Sequence, residues 1–306
     1  MDGYALNDIP RSGIENMALD QRMLEVAAAQ QCLLLRVYRW SEPTLSLGYF
    51  QPYVQRLTHS HSADLPVVRR ATGGGAIVHH YDWTYSIAVP AQVFGRRSQR
   101  SANDRSKSQS SDQDGSHSRA SRSDMGASVP LYDCMHDAVV QWLGSQGIVA
   151  HKWSPDCTTD APLHATDKSV QSTAPARASD MQRRFLCFER RNCGDVVWET
   201  HKVMGSAQRR GDGAVLQHGS LLLASSPYAP SLQGLSPTDE MTSQSLLGGT
   251  ASPTELLQSF FEHLCVAVAA ATDASLQQAA SLEQTPCQWQ WPSPTRFAED
   301  DWTHRV

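Results

Sequence analysis

The chain has 306 residues, room for one large domain or two small ones, with 40% apolar and 19% charged residues and a net charge of −5. That balance lacks the basic footprint of a general nucleic-acid binder, yet leaves room for a local basic patch or a small acidic partner. No stretch reaches the roughly 18 apolar residues of a membrane span, and Met1-Asp2-Gly3-Tyr4 has neither the basic nor the apolar region of a secretory signal; a cytoplasmic protein that binds no membrane is expected.

A helical pattern follows Gly13-Ile14-Glu15-Asn16, with apolar positions at Met17, Leu19, Met23, Leu24, Val26 and Ala27. Leu33 to Tyr38 reads as a largely buried strand, and Pro43 to Gly48 as a short alternating strand closed by glycine. Val67-Val68-Arg69-Arg70 leads into a glycine cluster, Ala76 to His79 is the returning strand, and Thr84 to Val89 completes a hairpin-like unit. Tyr132 to Leu143 predicts a second helix, and Thr254 to Ala270 a third with a threonine cap. Three polar segments interrupt the alternation: 96–128, 155–183 and 225–252. The first is packed with Ser, Arg, Asp and Gln and holds almost no large apolar side chain. These segments are expected to be disordered insertions in one domain spanning 1–306, because apolar strands resume beyond them.

The run Arg69-Arg70-Ala71-Thr72-Gly73-Gly74-Gly75-Ala76-Ile77-Val78-His79 sets three glycines between strands. Such a loop permits positive φ and close approach, and its amides can meet a carbonyl or phosphate oxygen. It is neither a Walker A loop nor a dinucleotide fingerprint, and by itself it is equally well a tight turn. Arg70 could bind a phosphate or phosphopantetheine group, or close a surface salt bridge. His79 could orient a loop through its ring nitrogens.

A second run, Lys202-Val203-Met204-Gly205-Ser206-Ala207-Gln208, places a lysine beside a Gly-Ser turn, and Gln217-His218-Gly219 opens a following strand. An ammonium near an acyl carbonyl stabilises developing negative charge; a lone lysine is otherwise solvated surface. Seven cysteines at irregular spacing, without a Cys-x-x-Cys pair, form neither a disulfide framework nor a zinc site, so no metal is expected. Cys187, in Phe185-Leu186-Cys187-Phe188, is either a buried thiol at a strand end or a nucleophile. Cys193 is its neighbour and competitor.

These two runs resemble the signature segments of the lipoate–protein ligase and octanoyltransferase family, also called the biotin/lipoate A/B protein ligases. The resemblance covers roughly 11–95, 129–153, 184–224 and 252–305. The Cys-Phe pair ahead of Asp195 and the lysine motif resembles the octanoyltransferase branch typified in Gram-positive bacteria. In the other octanoyltransferase branch the cysteine follows the last glycine-rich strand, and Gln217-His218-Gly219-Ser220-Leu221 has none. The tail Arg296-Phe297-Ala298-Glu299-Asp300-Asp301-Trp302 resembles the family's closing motif, and the resemblance leads us to expect no accessory domain like that of larger lipoate ligases. The biotin signature Gly-Arg-Gly-Arg-x-Gly is missing.

The resemblance implies an α/β (α+β) domain with a mixed, mainly antiparallel sheet flanked by helices. It implies Cys187 and Lys202 as catalytic residues. Arg70, Thr72, Gly73, Gly74, Gly75, Ala76, His79, Gly205, Ser206, Ala207, His218 and Gly219 would bind substrate. The implied reaction moves an octanoyl or lipoyl group from acyl carrier protein, through a Cys187 thioester, to a lysine of a lipoyl-domain or glycine-cleavage H-type protein, with no cofactor. Two alternatives stay open: an ATP- and Mg-dependent lipoate–protein ligase in which Lys202 bridges carboxylate and α-phosphate, and a catalytically silent acyl-binding protein.

Overall fold

Ser12 starts the first helix, α1 (Gly13–Gln30): its hydroxyl accepts from the Glu15 amide, and the Glu15 carboxylate accepts from the Ser12 amide at 2.9 Å. This reciprocal capping box satisfies two donors that a helix end otherwise leaves open. The same device, Ser252 with Glu255, starts α3 (Pro253–Thr272), so the cap is Ser252 and not Thr254, which lies inside the first turn. Two further helices are α2 (Ser128–Ser145) and the short α4 (Asp300–Thr303). The protein is described here by a computed structural model covering residues 1–93, 128–155, 185–211, 213–236, 252–279 and 296–305.

Eleven strands are described: β1 (Asp2–Asn7), β2 (Leu33–Tyr38), β3 (Thr44–Leu47), β4 (Val67–Arg69), β5 (Ile77–His79), β6 (Asp82–Pro90), β7 (Ala150–Lys152), β8 (Val196–Trp198), β9 (His201–Gly211), β10 (Ala214–Leu222) and β11 (Ser275–Ala279). Eight form one sheet in the order β11-β1-β2-β6-β10-β9-β8-β7, parallel at β11/β1 and β1/β2 and antiparallel elsewhere. The mixed, mainly antiparallel expectation holds. A smaller sheet, β4-β3-β5, sits beside it. The hairpin-like reading of residues 76–89 does not hold: β5 pairs with β3 in the small sheet, and β6 pairs with β2 and β10 in the large one.

Alternation along the central strands sorts the large sheet's two faces. Leu34, Ala88 and Leu216 pack with Leu19, Met23 and Leu24 of α1. Leu33, Leu35, Ile87, Val89 and Val215 turn the other way, toward α2 and α3. That second core holds an aromatic knot, Trp83, Trp142 and Phe260, with ring centroids 5.1 to 5.8 Å apart.

Of the polar segments, 96–128 and 155–183 fall outside the described residues except for Ser128 and Pro155. The third is corrected for its first half: Ala229 and Leu235 are buried, and Ser236 bridges back to Ala224, so residues 225–236 pack on the sheet. Among the described residues no helix is long and apolar enough to cross a membrane.

Candidate active site

Backbone pairing fixes one row of residues across four strands: Tyr38 on β2 faces Thr84 on β6, Thr84 faces Ser220 on β10, and Ser220 faces Gly205 on β9. Side chains in register across neighbouring strands share a face, so this row runs from a large residue through two small ones to none. A cavity lies over it, lined on its far side by the glycine loop and by Ile77 and His79 of the small sheet. Cys187 and Lys202 stand on its wall.

Lys202 is on a continuous strand, β9, rather than beside a turn. It is buried, which removes the solvated-surface reading. Its Nζ donates to Asp195 Oδ2 at 2.8 Å and lies 3.9 Å from Cys187 Sγ. The stem crosses the backbone at Gly205, where a Cβ would come within 2.5 Å of Lys202 Cε. Asp195 is further held by the Asn192 amide at 2.7 Å and the Tyr132 hydroxyl at 2.8 Å.

Cys187 opens a short 3-10 turn, Cys187–Glu189, and is half-buried rather than sealed in a strand. Two backbone bonds clamp it to the glycine loop: its amide donates to the Ala76 carbonyl at 2.7 Å, and the Ala76 amide donates to the Phe185 carbonyl at 3.0 Å. Gly75 permits this, since a Cβ there would lie 3.1 Å from the Cys187 nitrogen. Cys193 is exposed and does not line the cavity.

Arg70 is not a surface ion pair. Its guanidinium is buried and donates to the Ser46 carbonyl at 2.7 Å, the Ser46 hydroxyl at 2.6 Å, and the carbonyls of Gly73 at 3.3 Å and Gly75 at 2.8 Å. Burial lowers its pKa to about 10. It therefore stays cationic at neutral pH while fixing the loop from beneath. Gly74 adopts φ +98°, a conformation that disfavours other residues.

His79 links β3 of the small sheet to Asp82 of β6 through both ring nitrogens. Nδ1 bonds Asp82 Oδ2 and Nε2 meets Ser46 Oγ, both at 2.8 Å, while the ring stacks on Trp40 at 3.7 Å. Burial holds its pKa below the ordinary value, so the neutral ring donates to Asp82 and accepts from Ser46. His218 bonds Asp20 Oδ2 at 2.9 Å and Thr72 Oγ1 at 2.5 Å, tying the glycine loop to β10 and α1.

The cavity thus brings together Arg70, Gly73, Gly74, His79, Cys187, Lys202, Gly205, Ser206, Ala207, His218 and Gly219. Thr72, Gly75 and Ala76 do not line it; they hold His218 and Cys187 in place. The Ser206 hydroxyl is turned to the α2 side, bonded to His136 Nε2 at 2.7 Å and Tyr85 Oη at 2.8 Å, so Ser206 offers the cavity its backbone. Sequence reasoning missed Asp195 as the partner of Lys202, and missed Tyr132, Asn192 and Asp20 altogether. Only Asp195, seven residues before the lysine in a Gly-Asp pair, carried a local signal.

A mixed sheet of this order, with a lysine and a cysteine on the wall of a cavity beside a glycine-rich loop, has the fold of lipoate ligases. Residues 12–105 match the lipoyl protein ligase A/B catalytic domain. The chain is 29% identical to Octanoyltransferase LipM of Bacillus subtilis (strain 168) over 212 residues, 68% of this chain and 60% of that protein. Two solved structures share the fold. Lipoate-protein ligase A bound with ATP aligns at TM-score 0.60 and 17% identity, covering 99% of each chain. A bi-partite lipoate protein ligase of Thermoplasma acidophilum, studied with its E2 lipoyl domain, aligns at TM-score 0.58 and 16% identity, covering 99% of this chain and 96% of that one. The chain is thus similar to the lipoate–protein ligases and octanoyltransferases. It spans 60% to 65% of the length of the LipM-type relatives it matches.

Proposed function

We propose that the chain is a cysteine-dependent octanoyltransferase of protein lipoylation. The observation that carries this reading is the 3.9 Å approach of Lys202 Nζ to Cys187 Sγ on a cavity wall. A cation beside a thiol stabilises the thiolate, the form that attacks a thioester. Cys187 Sγ attacks the donor thioester carbonyl; the new carbon–sulfur bond forms as the carrier's thiolate leaves and takes up a proton. The ε-amine of an acceptor lysine then attacks the Cys187 thioester, an amide forms, and the thiol returns to Cys187. Lys202 stabilises the oxyanion at both steps. The acyl chain lies over Ser220 and Thr84, and Gly73 and Gly74 face the reacting carbonyl.

The donor is acyl carrier protein, and the acceptor is a lipoyl-domain or glycine-cleavage H-type protein. Thioester exchange needs no ATP, Mg or other cofactor. A reducing cytoplasm suits a reaction that needs Cys187 as a free thiol. In the ligase alternative, Lys202 would serve an acyl-adenylate and Cys187 would be incidental. Intact-mass analysis after incubation with octanoyl–acyl carrier protein, without ATP, separates the two. An octanoyl adduct mapping to Cys187 is expected; transfer to a lipoyl domain only when ATP is added would establish the ligase.

A further inference from the structure

Two side chains of α2 reach the site from behind, and the reaction as proposed uses neither. Tyr132 and His136 stand four residues apart, one turn of helix, with ring centroids 3.9 Å from each other. His136 Nδ1 bonds the Gly194 carbonyl at 2.7 Å, and Tyr132 Oη donates to Asp195 Oδ1 at 2.8 Å. Gly194 has φ +90°, and a Cβ there would lie 2.9 Å from Tyr132 Cε1, so the tyrosine ring rests directly on this glycine. Asp195 in turn holds Lys202, and Lys202 faces Cys187.

We propose that Tyr132 is a positioning residue of acyl transfer, its hydroxyl occupying Asp195 Oδ1 so that Lys202 stays bound to Oδ2 alone and within reach of Cys187. Burial, and then the Asp195 charge, hold the tyrosine phenol well above its ordinary pKa, so it remains a donor across the working range. The groups that face Asp195 are Tyr132 from α2, the Asn192 amide from its own loop and Lys202 from β9. With the hydroxyl removed, Oδ1 has room to take a second proton of the ammonium. Lys202 is then drawn toward the carboxylate and away from the sulfur.

The inference rests on the octanoyltransferase reading, but its primary test needs no acyl donor. The rate of iodoacetamide alkylation at Cys187, followed by peptide mass mapping at neutral pH, reports the reactive thiolate directly. Tyr132→Phe should slow alkylation about tenfold, the scale on which a hydrogen bond to a charged group acts. Octanoyl transfer should lose kcat with KM for the donor unchanged, and the unfolding midpoint should stay near wild type because the ring still packs on Gly194. In an Asp195→Asn background the same substitution should have no further effect, since the path runs through the carboxylate. Wild-type alkylation rates in Tyr132→Phe, an undiminished effect in the Asp195→Asn background, or loss of cooperative unfolding would each overturn the proposal. A wild-type protein that alkylates at Cys187 yet takes no octanoyl group would instead defeat the functional reading and leave the positioning role standing.

Discussion

Lys202 occupies the space that a side chain at Gly205 would need. The lysine stem passes over the glycine with Cε 2.5 Å and Nζ 2.7 Å from the position of a Cβ, so the glycine of the motif exists for the lysine. Gly205→Ala should push Lys202 out of line with Cys187 and reduce acyl transfer about 100-fold, the scale of a misplaced catalytic group. The unfolding midpoint should fall as well, because the displaced ammonium is the buried partner of Asp195. Kinetics and thermal unfolding of the one variant check both halves; unimpaired turnover would detach Gly205 from the lysine's placement.

Lys202 and Asp195 form a buried ion pair, each side chain 1% exposed. Lys202→Met should therefore abolish transfer and also destabilise the fold by about 3–5 kcal/mol, because it leaves the buried Asp195 without its cation. The double variant Lys202→Met/Asp195→Asn removes both charges and should recover most of that stability without recovering activity. Stability recovered together with turnover would reassign the lysine from chemistry to structure.

Cys187→Ala and Cys187→Ser should both lose the octanoyl adduct and all transfer. Because Cys187 is half-buried and held mainly through its backbone, stability should change by about 1 kcal/mol or less. An adduct that persists and maps to exposed Cys193 would overturn the assignment.

His136 gives the protein a pH dependence of a definite sign. Burial, opposed by the bond to the Gly194 carbonyl, lowers its pKa from 6.5 to about 4. Between these values the unfolded chain binds a proton that the folded one refuses, so stability falls as pH drops through 6.5 and levels off near 4. The lost stability at the bottom of that window is about 3 kcal/mol. His79, also held neutral by burial, adds in the same direction. Chemical denaturation between pH 7 and 4.5 should show the decline, and His136→Gln should flatten it; an unchanged slope in that variant would exclude His136 as its source.

The site was legible where its chemistry is local. The lysine run, the glycine loop and the Cys-Phe pair each fit within about ten residues, and each lies on the cavity or directly behind it. What stayed hidden depends on pairing across long separations. Tyr132 meets Asp195 across 63 residues, and Thr72 meets His218 across 146. No spacing rule reports such contacts. The supposed hairpin at 76–89 failed for a related reason: strand patterns identify β5 and β6 but not their partners, and the short Tyr81 connection carries the chain from one sheet to the other. The threonine cap does not form because Ser252, Pro253 and Glu255 together specify the helix start, ahead of Thr254.

Arg69, the neighbour of Arg70, points the other way and binds the tail. Its guanidinium donates to the carbonyls of Trp302 and Thr303 at 2.9 to 3.2 Å and to those of Gly48 and Gln51, while the Trp302 indole donates back to the Arg69 carbonyl at 3.0 Å. Partners separated by 233 positions meet here, immediately before the loop that Arg70 clamps. During synthesis the sheet strands through β10 emerge long before Trp302, so the core can gather while the glycine loop still lacks its last anchor. Contacts of such separation close late, since their entropy cost is met only after the rest has condensed. The loop that Arg70 clamps is therefore fully anchored only after residues 302 and 303 have been added, later than every strand through β10.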